Sequence, residues 1–192
     1  MTAMQPQRLP DPAHGSAAPS MAANQRIVRP QMKLVGIDRD GSFSPEKGPL
    51  PEIARSVVES TQQLYSRVGW STPWIGYLAF EDGECVGTCA FTAAPAGGVV
   101  EIAYFTFPGH EGRGVATRMG ERLVSMAGAS APEILVTAHT LPQESASTRV
   151  LLKAGFVFMT AAVHPEDGQI WIWRHERGEK APGRSPDEDR NA

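Results

Sequence analysis

The sequence predicts an α+β domain built on a mainly antiparallel central sheet covered by helices. Three observations carry this. Apolar patterns run in the order helix, three strands, helix, strand, helix, two strands, which is not the regular alternation of a doubly wound fold. Asp82-Gly83 separates two strand-like runs, and both residues tolerate positive φ, so the runs close as a tight hairpin. No internal repeat is visible.

Each element has its own signal. "RPQMKLVGI" supplies a first strand. In "PLPEIARSVVESTQQLYSRVG", Ile53, Val57, Leu64 and Val68 recur near helical spacing, with Gly69 as the stop. "WIGYLAF" and "ECVGTCAFT" are the hairpin strands, and "VVEIAYFTF" is a third, rich in β-branched and aromatic residues. A glycine-rich turn leads into a helix with Val115, Met119, Leu123 and Met126 on one face. "EILVTAHT" is the next strand, "ESASTRVLLKAGF" a short helix stopped by Gly155, and "FVFMTAAV" and "QIWIWRHE" the last pair around "HPEDG". The sheet therefore has about six to seven strands.

Composition bounds the rest. The leader, 1–28, is rich in Pro, Ala, Ser and Gln, and the tail, 177–192, is charged and rich in proline; both read as disordered around one domain at 29–176. A formal charge of −3 gives no electrostatic case for nucleic acid or an anionic membrane surface. No apolar run approaches the roughly 18 residues of a membrane span, and the leader lacks the apolar centre of a secretory signal. Cys85 and Cys89 sit four apart in one strand, roughly 13 Å from each other, too far for a disulfide. Two small buried thiols fit a reducing cytoplasm.

The informative stretch is "VVEIAYFTFPGHEGRGVATRMGERLVSMA", where a strand stops at Pro108 and feeds a helix through Gly109, Gly112 and Gly114. The first N–H groups of such a helix have no carbonyl partner, its dipole is positive there, and missing side chains let a ligand approach the main chain. Phosphate is the natural guest. A nucleotide P-loop is excluded because no lysine follows Gly114, and a dinucleotide fingerprint because Thr117 stands where a third glycine is needed.

A third pattern fits. "VEIAYFTFPGHEGRGVATRM" resembles the acetyl-CoA-binding segment of the GNAT superfamily of N-acetyltransferases, whose loop reads Arg or Gln, two variable residues, Gly, one variable residue, then Gly or Ala. "SASTRVLLKAGF" is similar to the family's later motif, and "DGQIWIWRHE" to the aromatic last strand of the subgroup that includes the ribosomal-protein N-acetyltransferases. The resemblance spans Trp74 to Glu176 and implies a GNAT-like fold in which the strand before the loop splays from "EILVTAHT". It further implies acetyl-CoA as co-substrate, without a metal, and transfer of its acetyl group to a primary amine, a protein N-terminus or a small molecule, by direct attack in a ternary complex. By position the pantetheine arm falls on Phe105, Thr106 and Phe107. The pyrophosphate falls on Glu111, Gly112, Arg113, Gly114, Val115 and Ala116 with Thr117 beside them, and Ser145 stands where the family's cofactor-holding Asn is common.

Three departures bear on chemistry. Glu111 replaces the usual Arg or Gln, so a carboxylate sits near a polyanion, with Arg113 and Arg118 at hand to offset it. Ser145 replaces Asn. The late helix has no tyrosine to return a proton to the leaving thiolate, so Ser147 or Thr148 is the candidate donor, against a helix-capping role. Transfer also needs a neutral amine. At pH 7 that costs about 4.6 kcal/mol for a lysine-like amine of pKa ~10.4, but only about 1 kcal/mol for an α-amine near ~7.8. Glu101, in a strand nearly devoid of other charge, is the candidate base, with His139 and His110 behind it. The weak base favours α-amines or small amines of low pKa. Tyr65, Trp70, Trp74 and Tyr77 are either core aromatics or the wall of an acceptor pocket. The five histidines show no metal-ligand spacing. The alternative to an enzyme is a non-catalytic acyl-CoA sensor on the same fold, and the oligomeric state is left as monomer or homodimer.

Overall fold

A computed structural model describes residues 31–44, 50–165 and 168–176; the leader and the tail lie outside them. The chain runs β1 (Met32–Gly36), α1 (Glu52–Val68), β2 (Gly76–Glu81), β3 (Glu84–Phe91), β4 (Val99–Thr106), α2 (Val115–Ser130), β5 (Leu135–Thr140), α3 (Ala146–Lys153), β6 (Phe156–His164) and β7 (Gly168–His175). The mixed α+β architecture expected from the sequence is the one observed. Seven strands form one sheet in the order β1-β2-β3-β4-β5-β7-β6, antiparallel at every step except β4 with β5.

The β2–β3 turn closes on Asp82 at φ 51° and Gly83 at φ 85°, the left-handed pair that a two-residue hairpin requires. Val86 is an extra residue opposite the Ala79/Phe80 step, a bulge that turns its carbonyl toward the Phe107 N–H at 3.0 Å. Cys85 and Cys89 are both buried and free, as their spacing requires.

Helices cover both faces. Gly76 faces Thr61 and Tyr65 of α1, whereas Gly87 faces Met119 of α2, and strand parity sets these glycines on opposite sides of the sheet. α3 packs beside α2. The buried stripe of α1 is Ala54, Val58 and Tyr65, one residue on from the stripe that the apolar letters predict; Ile53 and Val57 flank it and Val68 is 41% exposed. Tyr65 draws the helix round because its hydroxyl bridges the Ile37 carbonyl at 3.0 Å and the Gly76 N–H at 2.8 Å. In α2 the expected Val115, Met119 and Leu123 are buried, joined by Ala127. No helix among the described residues is long and apolar enough to cross a membrane.

Candidate active site at the parted strands

β4 and β5 pair in parallel only through Val99–Glu101 against Leu135–Thr137. Beyond that, β5 continues on β7 and β4 on β3, so the two strands part. Strand geometry says which main-chain groups the opening leaves unmatched. The Glu101 carbonyl accepts from Thr92 N–H and the Phe107 N–H donates to Val86, so odd-numbered residues of β4 are bonded toward β3. The even ones face the opening, namely Tyr104 and Thr106. Of the three positions expected to line the pantetheine arm, Thr106 has this orientation and Phe105 does not. Phe107 lies past the strand, is 2% exposed, and has both main-chain groups engaged, by Val86 and by the His110 N–H at 3.1 Å. Strand parity was the signal that would have found Tyr104.

At the mouth of the opening lies the loop to α2. Gly109, Gly112 and Gly114 have φ of 88°, 74° and 76°, where side-chain-bearing residues are strained. Gly114 is the N-cap, with no side-chain cap and no acidic residue in the first turn. The first turn closes with Arg118 N–H on the Gly114 carbonyl at 3.1 Å, so the N–H groups of Val115, Ala116 and Thr117 precede any helical acceptor. Nothing lies within 4 Å of a side chain built on Gly112. The Glu111 carboxylate folds back to accept the Gly109 N–H at 2.7 Å. Arg113 Nη1 hydrogen-bonds His110 Nδ1 at 3.0 Å, and His110 also reaches Glu84 at 3.7 Å. Arg118, expected to offset Glu111, instead has its guanidinium engaged by Glu81 and by the Arg113 carbonyl.

At the opposite end of β4, where the strands part, Glu101 Oε1 lies 2.9 Å from His139 Nδ1, with both side chains about one-third exposed. His139 also stacks on His164 of β6, ring centroids 5.5 Å apart. Sequence reasoning named Glu101 and His139 separately; the parallel register of β4 and β5 makes them a pair. His110 is six residues of strand rise and a loop away, roughly 20 Å along β4, and belongs to the loop instead. Odd residues of β4 face the α1 side of the sheet, so the pair opens on the face opposite α2 and α3.

On the α2 side Tyr104 crosses to α3, its hydroxyl 3.3 Å from the Ser147 carbonyl. Burial pushes this phenol far above its ordinary value of 10.0, so it stays protonated. Ser145 is the N-cap of α3: its hydroxyl accepts Thr148 N–H at 3.3 Å, while Thr148 Oγ1 accepts Ser145 N–H at 2.9 Å. Capping therefore falls to Ser145 and Thr148, and Ser147 is exposed. Among the four aromatics near the end of α1, Tyr77 donates to the Pro73 carbonyl at 2.6 Å, Tyr65 bridges β1 and β2, and Trp74 packs edge-on against Phe91; Trp70 is 37% exposed. A cavity of about 1230 Å³ lies elsewhere, between the ends of α2 and α3 and the start of β5, and holds none of these groups. No cluster of metal-ligating side chains occurs among the described residues.

The fold is a mixed sheet whose one parallel pair parts beside a helix N-terminus, and comparison makes the assignment. Residues 43–157 match the acetyltransferase (GNAT) domain, and the chain belongs to that family. No curated protein sequence matches the chain. Among solved structures, apo RimL, ribosomal L7/L12 α-N-protein acetyltransferase, aligns over 75% of this chain and 92% of its own with TM-score 0.56 at 16% identity. Microcin C7 self immunity acetyltransferase MccE, in complex with acetyl-CoA and AMP, aligns over 66% and 73% with TM-score 0.52 at 16% identity. The chain spans 66% of the length of aminoglycoside acetyltransferase AAC(6')-Ib, just under two thirds, with 54% of its own length covered, TM-score 0.48 and 22% identity. At these identities the likeness is one of fold.

Proposed function

We propose that this protein is an acetyl-CoA-dependent N-acetyltransferase whose acceptor is a primary amine, an α-amine or a small amine of low pKa. The observation that carries the reading is the parting of β4 from β5 past Glu101 and Thr137, with Tyr104 and Thr106 facing the gap and uncapped amides at its mouth. Phosphate oxygens on the amides from Gly112 to Thr117 would be held by the main chain, each such bond contributing about 1.5–3 kcal/mol when desolvated. The pantetheine would then run along Thr106 and Tyr104 as an added strand, bringing the thioester to the fork. Coenzyme A or acetyl-CoA bound to RimL and MccE supports the donor.

The acceptor enters from the α1 face. Glu101 Oε1 lies 2.9 Å from His139 Nδ1, and a proton held between them would orient the imidazole as the base. His139 takes the proton from the amine as its nitrogen attacks the thioester carbon, and Glu101 stabilises the imidazolium that forms. The C–S bond then breaks, and a hydroxyl returns a proton to the sulfur. Ser147, in the first turn of α3, and Tyr104 of β4, whose hydroxyl reaches the Ser147 carbonyl, are the candidate donors. An α-amine needs only about 1 kcal/mol to reach its neutral form, against about 4.6 kcal/mol for a lysine-like amine, so this pair suits the former.

A non-catalytic acyl-CoA sensor is favoured by one feature, the lack of a tyrosine in α3 with two of its hydroxyls engaged in capping. Thiol release from acetyl-CoA over a panel of peptide N-termini, small amines and lysine peptides tests the reading. Release with α-amine acceptors is expected. Binding of acetyl-CoA without release by any amine would favour the sensor, and comparable kcat/KM on lysine and α-amine peptides would overturn the acceptor class.

A further inference from the structure

Glu81 ends β2 with a side chain 2% exposed. Its Oε1 receives both Arg118 Nε and Arg118 Nη2 at 2.7 Å, and its Oε2 is buried with no hydrogen-bond partner. As a stabilising device this is poor: a buried ion pair scarcely offsets its desolvation, and an orphaned carboxylate oxygen adds a penalty. The third arm of the guanidinium suggests what else the pair does. Arg118 Nη1 donates to the Arg113 carbonyl at 2.9 Å. In a trans peptide the carbonyl and the next N–H point oppositely, so holding the Arg113 carbonyl inward turns the Gly114 N–H outward. A side chain on Gly114 would meet Arg118 Nη1 at 3.0 Å, so the glycine also lets the guanidinium close.

Three elements thus converge on one peptide plane: the end of β2, the loop, and the first turn of α2. We propose that Glu81 and Arg118 are positioning residues that aim the Gly114 amide and the first turn of α2 at the diphosphate of the donor. The inference rests on the acetyl-CoA reading given above. It predicts selectivity between donors, because only a donor with a diphosphate uses the loop.

The test compares acetyl-CoA with acetyl-pantetheine, which lacks the diphosphate and nucleotide. Arg118→Lys keeps a cation opposite Glu81 but cannot hold both the carboxylate and the Arg113 carbonyl. The double variant Glu81→Met/Arg118→Met removes both buried charges and leaves neither orphaned, which protects folding. Loss of one charge-assisted bond corresponds to about tenfold. In both variants the calorimetric Kd for acetyl-CoA and its KM should rise about tenfold with kcat within about twofold, while kcat/KM with acetyl-pantetheine stays within about twofold of wild type. Equal losses with both donors, or no loss with either, overturn the positioning role. Absence of acetyl-CoA binding by the wild-type protein overturns the donor reading itself.

Discussion

Glu101 and His139 come from strands that pair for only three residues, and the contact at 2.9 Å lies just where that pairing ends. Acting as one unit, they are expected to fail as one. Glu101→Gln and His139→Gln should each lower kcat by about 10²-fold at saturating acetyl-CoA, and the double variant should be little worse than the poorer single. Additive losses in steady-state kinetics would show that they act separately. Glu101 was legible in the sequence as an isolated carboxylate in an apolar strand. His139 was legible only as a separate candidate and its pairing with Glu101 was not, because register between strands far apart in sequence leaves no local mark. Cys85 offers a test in alkali. Burial pushes its thiol from 9.0 up to about 11, so the unfolded chain ionises first. The stability this thiol contributes is constant below pH 9 and is lost as pH rises from there through about 11. Thermal melting from pH 7 upward should fall over that window, less steeply in Cys85→Ala.

At the scale of the element, the glycine loop was the clearest letter pattern in the chain, and its three glycines hold positive φ. Gly112 combines φ 74° with open space, so Gly112→Ala meets no steric neighbour and isolates the cost of the backbone conformation. That cost is about 1 kcal/mol; the free loop is expected to relax to escape it and acetyl-CoA to restore it, which should weaken binding roughly fivefold by calorimetry while leaving the far-ultraviolet spectrum unchanged. Gly114→Ala adds contact with Arg118 and should weaken it further. The Asp82-Gly83 hairpin was equally legible, since positive φ restricts the residue types that fit. The burial stripe of α1 was misread by one position: apolar letters favoured Val68, but the hydrogen bonds of Tyr65 to β1 and β2 set the rotation. The positions of β4 that face the parted edge were half legible for a related reason, since a strand's parity against its neighbour must be known before its free edge can be assigned.

The described residues form a sheet that is antiparallel on both flanks and parallel at one junction, and the candidate site lies at that junction. The order of elements was readable from periodicity, whereas the parting of β4 and β5 was reachable only through family resemblance, because it depends on pairing that the chain omits. A ligand held there should stabilise the fold by mass action. At one hundred times Kd the gain is about 2.7 kcal/mol, or roughly 5–10 °C in melting temperature for a domain of this size. ATP and NAD at the same concentration should leave the melting temperature unchanged; equal shifts with all three would argue for nonspecific anion binding.

Hydrogen exchange of individual amides, with and without acetyl-CoA, reaches the central claim most directly. Slower exchange is expected at Tyr104, Thr106, Val115, Ala116 and Thr117, with Phe105 unchanged because its amide is already bonded toward β3. Protection absent from those five amides under saturating acetyl-CoA, or appearing only around the cavity between the ends of α2 and α3, would contradict it.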